Sequence, residues 1–252
     1  MHCHGSLVTV YCCVLIAGGI GFSLRQVRRQ TPYGRYATQV ASRRWVPAKP
    51  AWFVQELPSF LVPVLLFWGT MPKLGLGETL LFCLFCGHYF QRTFVFSLLT
   101  KGRSSPLRIV LSSLTFCSVN GFVQSHYLLH CAAYGDAWLA DWRLVLGLIV
   151  FFIGMGINVH SDYILRNLRK PGELHYSIPK GGMFEYVSGA NFLGEIIEWF
   201  GFAVAAWSMP ALSFAVFTLC SIGPRAYHHH RFYLKIFSDY PQSRKAVIPF
   251  LF

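Results

Sequence analysis

Ionisable side chains inside apolar runs are costly, and where they occur they usually do chemistry. This chain holds several. Asn158, His160 and Asp162 close one apolar run; Asn158 and Asp162 are four apart and share a helical face, which Arg166 and Arg169 continue. Asn191, Glu195 and Glu198 fall at i, i+4 and i+7 near the start of another. Two such stripes facing each other would make a polar cavity; read more plainly, they would hydrogen-bond the helices together. Glu56 lies near the start of a third run and Tyr89 within a fourth. A buried carboxyl beside a phenol could polarise a carbonyl, or could be a helix–helix hydrogen bond, and the sequence leaves both readings open. The stretch from Arg225 to Tyr233 contains three adjacent histidines. Neighbours on a helix point ~100° apart, so they cannot share one ion, and no acidic or cysteine ligand lies at suitable spacing; no metal is expected. Arginine, histidine and tyrosine at a helix end suit phosphate oxygens better. Together with Arg92, Arg103, Arg169 and Lys180 they exceed what topology requires and point to a polyanionic cofactor. There is no GxGxxG after a strand and no Walker A sequence, so a nucleotide would have to bind within a helical bundle.

The elements that must position these residues follow from composition. Of 252 residues, 54% are hydrophobic, 17% aromatic and 13% charged, against roughly 25% charged in an average soluble domain. That excludes a soluble or disordered chain and predicts an all-α polytopic membrane protein. Spans of roughly 20 residues are predicted at Gly5–Leu24, Ala51–Pro72, Thr79–Leu99, Ile109–Tyr134 and Leu144–Tyr163. Val187–Pro224 is long enough for two, with Pro210 as the turn. The first run lacks a basic start and a small-residue cleavage site, so it reads as a retained span. Cys83 and Cys86 form a CxxC inside an apolar run with no second pair nearby, and most of the eight cysteines read as small hydrophobes.

Charge sets the orientation. Seven Lys/Arg fall in Arg25–Lys49, three in Lys101–Arg108, four in Arg166–Lys180 and five in the tail from Arg225, which is 19 of the 22. The alternate connections hold only Lys73 and Arg143. The positive-inside rule then puts the N-terminus outside and the tail in the cytosol, which requires seven transmembrane helices with basic cytosolic loops. Because the basic residues fill gaps between spans rather than one solvated face, nucleic-acid binding is not expected. No repeat or low-complexity linker is visible, and the chain reads as a single domain over residues 1–252.

Three segments carry a resemblance. Ala51-Trp-Phe-Val-Gln-Glu-Leu-Pro-Ser59, Gly156-Ile-Asn-Val-His-Ser-Asp-Tyr-Ile-Leu-Arg166 and Tyr186-Val-Ser-Gly-Ala-Asn-Phe-Leu-Gly-Glu-Ile-Ile-Glu-Trp199 resemble the steroid 5α-reductases, above all their type 2 members. So does the ending from His228 through Tyr240-Pro-Gln-Ser-Arg-Lys. The likeness runs from about Tyr33 to Phe252, the first span being divergent and the cofactor-binding half lying at about 144–252. It implies a seven-helix endoplasmic reticulum protein, N-terminus lumenal, that reduces the C4–C5 double bond of 3-oxo-Δ4-steroids such as testosterone with NADPH. By resemblance, Tyr89 and Glu56 meet the steroid C3 carbonyl, Tyr89 as donor to the developing enolate, and Trp52 and Trp199 line the steroid pocket. Asn158, Asp162, Asn191 and Glu195 belong to the cofactor cavity, the last two near the nicotinamide. Arg92, Arg103, Arg169, Arg225, His229 and Tyr233 match positions around the phosphates and adenosine. A membrane methyltransferase using S-adenosylmethionine and a non-catalytic steroid carrier are the alternatives. Ser177 stands where the family carries a base before an Ile-Pro pair; either Lys180, three residues on, compensates from a loop that Gly181 and Gly182 leave flexible, or both positions are solvated and matter only to topology. Gln91 and Phe96 also depart from the type 2 pattern, replacing a His and a Tyr.

Overall fold

The computed structural model describes residues 3–31, 34, 36, 44–168 and 177–252. Among the described residues it is mostly helical, with an antiparallel pair of two-residue strands, β1 (Trp45–Val46) and β2 (Ser105–Pro106), in register Trp45↔Pro106 and Val46↔Ser105. Among the described residues, four helices are long and apolar enough to cross a membrane: α1 (Gly5–Arg28), α2 (Ala48–Thr70), α5 (Leu107–His130) and α6 (Trp142–Asn167). The chain divides into two units, one of Met1–Cys12 with Thr31–Val145, the other of Cys13–Gln30 with Leu146–Phe252.

In the first unit α2 lies against α5. Gly121 permits the approach: a Cβ there would sit 3.1 Å from Ser59 Cα and 3.2 Å from Pro58 O. Ser59 Oγ, fully buried, donates to Cys117 O at 3.2 Å across the same contact. α2 begins three residues before the expected Ala51, because Pro47 enters in an extended conformation (φ −54°, ψ 150°) and Pro50 falls in the first turn, where its missing N–H costs nothing. α3 (Leu76–Phe90) packs on α2 through the Phe67–Phe82 and Phe60–Phe90 ring pairs, centroids 5.7 and 5.9 Å apart. Glu78 in its first turn accepts the Tyr134 N–H at 2.7 Å, fastening α3 to the chain beyond α5. The expected third span is not uniformly α-helical. A π-helix, Gln91–Phe96, separates α3 from a last α turn, α4 (Ser97–Leu99). α5 stops at His130, short of Tyr134, because the N–H groups of Cys131 and Ala132 both turn back on Tyr127 O, at 2.9 and 2.8 Å. Cys131, which lies within a predicted apolar span, is disulfide-bonded to Cys3, so it serves as a crosslink rather than as a small hydrophobe.

In the second unit α6 and α7 (Ala190–Ala206) approach closely. A Cβ on Gly154 would lie 2.2 Å from Glu198 N, one on Gly194 2.4 Å from Asn158 N, and one on Gly201 2.3 Å from Phe151 N. Only glycine lets these backbones meet. α7 ends at Trp207 in the left-handed region (φ 43°), and Ser208 caps α8 (Met209–Ile236). The turn therefore falls at Trp207–Ser208, and Pro210 sits inside the first turn of α8 rather than forming the bend, as a residue lacking N–H can. α8 continues through Pro224 to Ile236 and carries the histidine run on helix. The later part of α1 lies against α8, Gly19 facing Phe217 and Cys220, with Gln26 Nε2 donating to Ser221 O at 2.9 Å.

Candidate functional site

The site residues of the first unit sit on α2 and on the helix carrying the π segment. Trp52 and Glu56 are four apart on α2, share a face, and are each half-buried. Tyr89 lies one residue before the end of α3, 4% exposed, its ring centroid 4.9 Å from Phe85 and 5.0 Å from His88. Arg92 falls within the π-helix and is buried. Its guanidinium lies over the rings of Phe96 and Trp52, 4.0 and 5.3 Å from the centroids, and those two rings meet edge to face at 5.0 Å. The ring quadrupoles attract a cation held over two aromatic faces. Arg103 is half-buried in the connection between α4 and β2.

The second unit brings several of the expected residues together. Asn158 and Asp162 on α6 are buried, 2% and 8% exposed. Asn158 Nδ2 donates to Asn191 O on α7 at 2.9 Å. This bond exists because Gly194 presses against the Asn158 backbone, so the helix crossing and the polar contact are one feature. Asn191 and Glu195 are half-buried, whereas Glu198 and Trp199 on the same helix are completely enclosed. Trp199 packs on Phe214 and Phe202, at 4.5 and 5.7 Å. Arg225, His229 and Tyr233 recur every four residues along one face of α8. His229 lies 5.3 Å from the Phe192 ring, and Tyr233 stacks on Tyr240 at 5.3 Å with planes 5° apart. The three histidines diverge: His228 Nε2 reaches Gln26 O at 2.7 Å, and His230 Nδ1 reaches Ser188 Oγ at 2.7 Å. Arg169 lies outside the described residues.

A network that carried no role in the sequence reading holds the start of α7. Ser188 Oγ pairs with both His230 Nδ1 and the Tyr240 hydroxyl, the latter at 2.6 Å. Buried Arg244 donates to Pro179 O at 2.8 Å and pairs with Glu185 at 3.2 Å. Ser188 and Gly189 donate to the carbonyls of Lys245 and Ala246. The Gly181 N–H, first, and then Arg244 and Lys180 hold the Glu185 carboxyl below its ordinary range. Burial raises the Tyr240 phenol, against the bond to Ser188. The segment from Pro179 to Glu185, expected to be a flexible loop, is therefore tied at both ends. Its glycines serve geometry: Gly181 and Gly182 take φ 91° and 52°, and a Cβ on Gly182 would strike the His160 ring at 2.7 Å. Ser177 and Lys180 are both exposed. Nothing in local spacing reveals this network, since its partners are 42 to 65 residues apart.

A family model described as 3-oxo-5-alpha-steroid 4-dehydrogenase matches residues 103–252. The chain is 53% identical over 255 aligned residues to 3-oxo-5-alpha-steroid 4-dehydrogenase 2 of Macaca fascicularis, covering 100% of this chain and 99% of that one. It is 58% identical over 224 residues to the Sus scrofa protein of the same name, covering 87% of each. It is 50% identical over 225 residues to 3-oxo-5-alpha-steroid 4-dehydrogenase 1 of Mus musculus, again covering 87% of each. Agreement of this extent means that the chain belongs to the 3-oxo-5-alpha-steroid 4-dehydrogenase family.

Proposed function

We propose that this chain reduces the C4–C5 double bond of 3-oxo-Δ4-steroids such as testosterone with NADPH, as one seven-helix domain in the endoplasmic reticulum membrane. The observation that carries the reading is 53% identity, over the full length, to a relative named for that steroid chemistry. The polar groups of the second unit suit the cofactor. Amides and carboxylates gather where α6 crosses α7, suited to a carboxamide and ribose hydroxyls, and a guanidinium, an imidazole and a phenol follow on one face of α8, suited to phosphates. Asn158, Asp162, Asn191 and Glu195 would hold the nicotinamide side; Arg225, His229 and Tyr233, with Arg92, Arg103 and Arg169, would hold the phosphates and adenosine. NADPH, when bound, supplies the hydride for steroid C5.

The chain's own residues manage the charge this creates. Electrons move through the enone onto the C3 oxygen, and Tyr89 donates a hydrogen bond to that oxygen as negative charge builds. Tyr89 is 4% exposed, and in so dry a setting one such bond is worth about 2.7–4 kcal/mol. Glu56 orients the phenol or, when protonated, donates a second bond. Trp52 and Trp199 contribute apolar wall, which supplies most of a steroid's affinity. C4 then takes up one proton, which completes the reduction.

Orientation rests on two independent supports. Nineteen of the 22 basic residues fall on alternate connections. Cys3 precedes α1 and Cys131 follows α5, positions on one side of a membrane if the spans alternate, and a disulfide persists on the oxidising, lumenal side. The test is the absorbance of NADPH on adding testosterone to the purified full-length chain. Steroid-dependent oxidation with a 5α-reduced product is expected. NADH, which lacks the 2′-phosphate and at least one charge-assisted bond, should show kcat/KM lower by about tenfold or more. Binding of testosterone without oxidation of NADPH overturns the reading in favour of a carrier, and methyl transfer from S-adenosylmethionine overturns it in favour of a methyltransferase.

A further inference from the structure

One stripe of α1 has a composition that packing within its unit does not explain. The helix meets α8 through Gly19 and Gln26; Gln26 also receives His228 on its carbonyl. Away from that contact run Gly21, Leu24, Arg25, Arg28 and Arg29, at i, i+3, i+4, i+7 and i+8 and all exposed, which line an open cavity of ≈ 500 Å³. The same stripe continues up the helix through Ala17 and Gly18, also exposed. A Cβ on Gly18 or Gly21 would meet nothing within 4 Å, so the floor is a shallow notch with free space above it. The surface is therefore apolar and nearly without side chains for about one turn, Ala17 to Gly21, and then leads past Leu24 into three guanidiniums.

Three cations at a helix C-terminus are explained by the helix dipole and by topology. Neither explains a notch leading into them. From Arg25 to Lys49 the sequence has seven Lys/Arg and no Asp or Glu, so nothing in that segment neutralises the cluster. A ligand that matches both halves carries a phosphate at one end and a hydrocarbon chain at the other. Guanidinium forks grip phosphate oxygens in pairs, and basic residues just cytosolic of a span attract anionic lipid. We infer that this stripe binds one anionic phospholipid, its phosphate on Arg25, Arg28 and Arg29 and one acyl chain along Ala17, Gly18 and Gly21. The inference rests on the membrane reading of α1 given above, and not on the reductase chemistry.

The full-length chain in detergent, probed by native mass spectrometry with phosphatidylserine and phosphatidylcholine of the same acyl chains, tests it. One phosphatidylserine should be retained per chain in preference to phosphatidylcholine. R25Q/R28Q/R29Q should weaken that retention by about fivefold per guanidinium removed. Gly21→Phe fills the notch and leaves every charge, and it too should abolish the preference, whereas inorganic phosphate should not displace the lipid. Equal retention of the two lipids overturns the site. If Gly21→Phe retains phosphatidylserine, or inorganic phosphate displaces it, the cluster is a free-phosphate or diffuse electrostatic site and the proposal is wrong. Lipid retention is scored apart from turnover, so a chain that reduces testosterone but keeps no lipid refutes this site alone, and one that keeps lipid but reduces no steroid refutes only the reductase reading.

Discussion

Tyr89 occupies almost the last regular α-helical position before the backbone widens, and Arg92 follows inside the π-helix with its charge spread over Phe96 and Trp52. Segments of this kind recur at functional sites because they re-aim the side chains around them. If Tyr89 donates to the C3 oxygen, Tyr89→Phe keeps the packing against Phe85 and His88 and removes only the donor. Turnover of testosterone should then fall roughly 10²–10³-fold in kcat, with an unchanged gel-filtration profile. Near-normal kcat would remove Tyr89 from the chemistry. Glu56→Gln should cost less than Glu56→Leu, because an amide still hydrogen-bonds; the reverse order would make Glu56 a packing residue. The residue types were legible in the sequence since charge and phenol stand out in apolar runs, but the π segment was not. Gln91, Arg92 and Thr93 interrupt the apolar run there, but polar residues occur in α-helices too, and a change of hydrogen-bond register leaves no mark on composition.

At the scale of elements, the crossing of α6 and α7 does two things at once. Gly154, Gly194 and Gly201 let the backbones touch, and that approach delivers Asn158 to the Asn191 carbonyl. Gly194→Ala puts a methyl 2.4 Å from Asn158 N, which forces the helices apart. Overpacking of this kind costs about 1–3 kcal/mol, so thermal stability should drop and the NADPH KM should rise together. Gly156→Ala, on the open side of α6, meets nothing within 4 Å; it should be neutral or slightly stabilising, since alanine favours helix by about 1 kcal/mol. Identical behaviour of the two variants would mean that the crossing does not position Asn158. Helix existence was readable because twenty apolar residues have few alternatives; helix ends were not. Pro47 and Pro50 moved one start outward and Trp207 took the turn expected at Pro210, each through backbone conformations that hydropathy does not register. The tail network was invisible for a different reason. Arg244 meets Glu185 across 59 residues, and no periodicity joins them.

At the scale of the molecule, the proposed roles divide between the two units: Glu56 and Tyr89, proposed to meet the steroid carbonyl, lie in one, and most of the residues proposed for the dinucleotide lie in the other. The division falls within two helices, at Cys12–Cys13 in α1 and at Val145–Leu146 in α6, so neither unit has a full set of whole helices. The bond between Cys3 and Cys131 has a further effect on covalent connectivity. It closes residues 3 to 131 into a ring that contains α1, α2, α3, α4 and α5. A single proteolytic cut after Arg28 or Arg29, both exposed at the end of α1, opens that ring without freeing the amino-terminal fragment. On a denaturing gel the nicked chain should run as one species of full mass, and the fragment bearing α1 should separate only after a thiol reductant is added. Separation without reductant would mean that the crosslink is absent. A chain cut once in this region is thus still one molecule, and its first helix can be lost only by two events, a cleavage and a reduction.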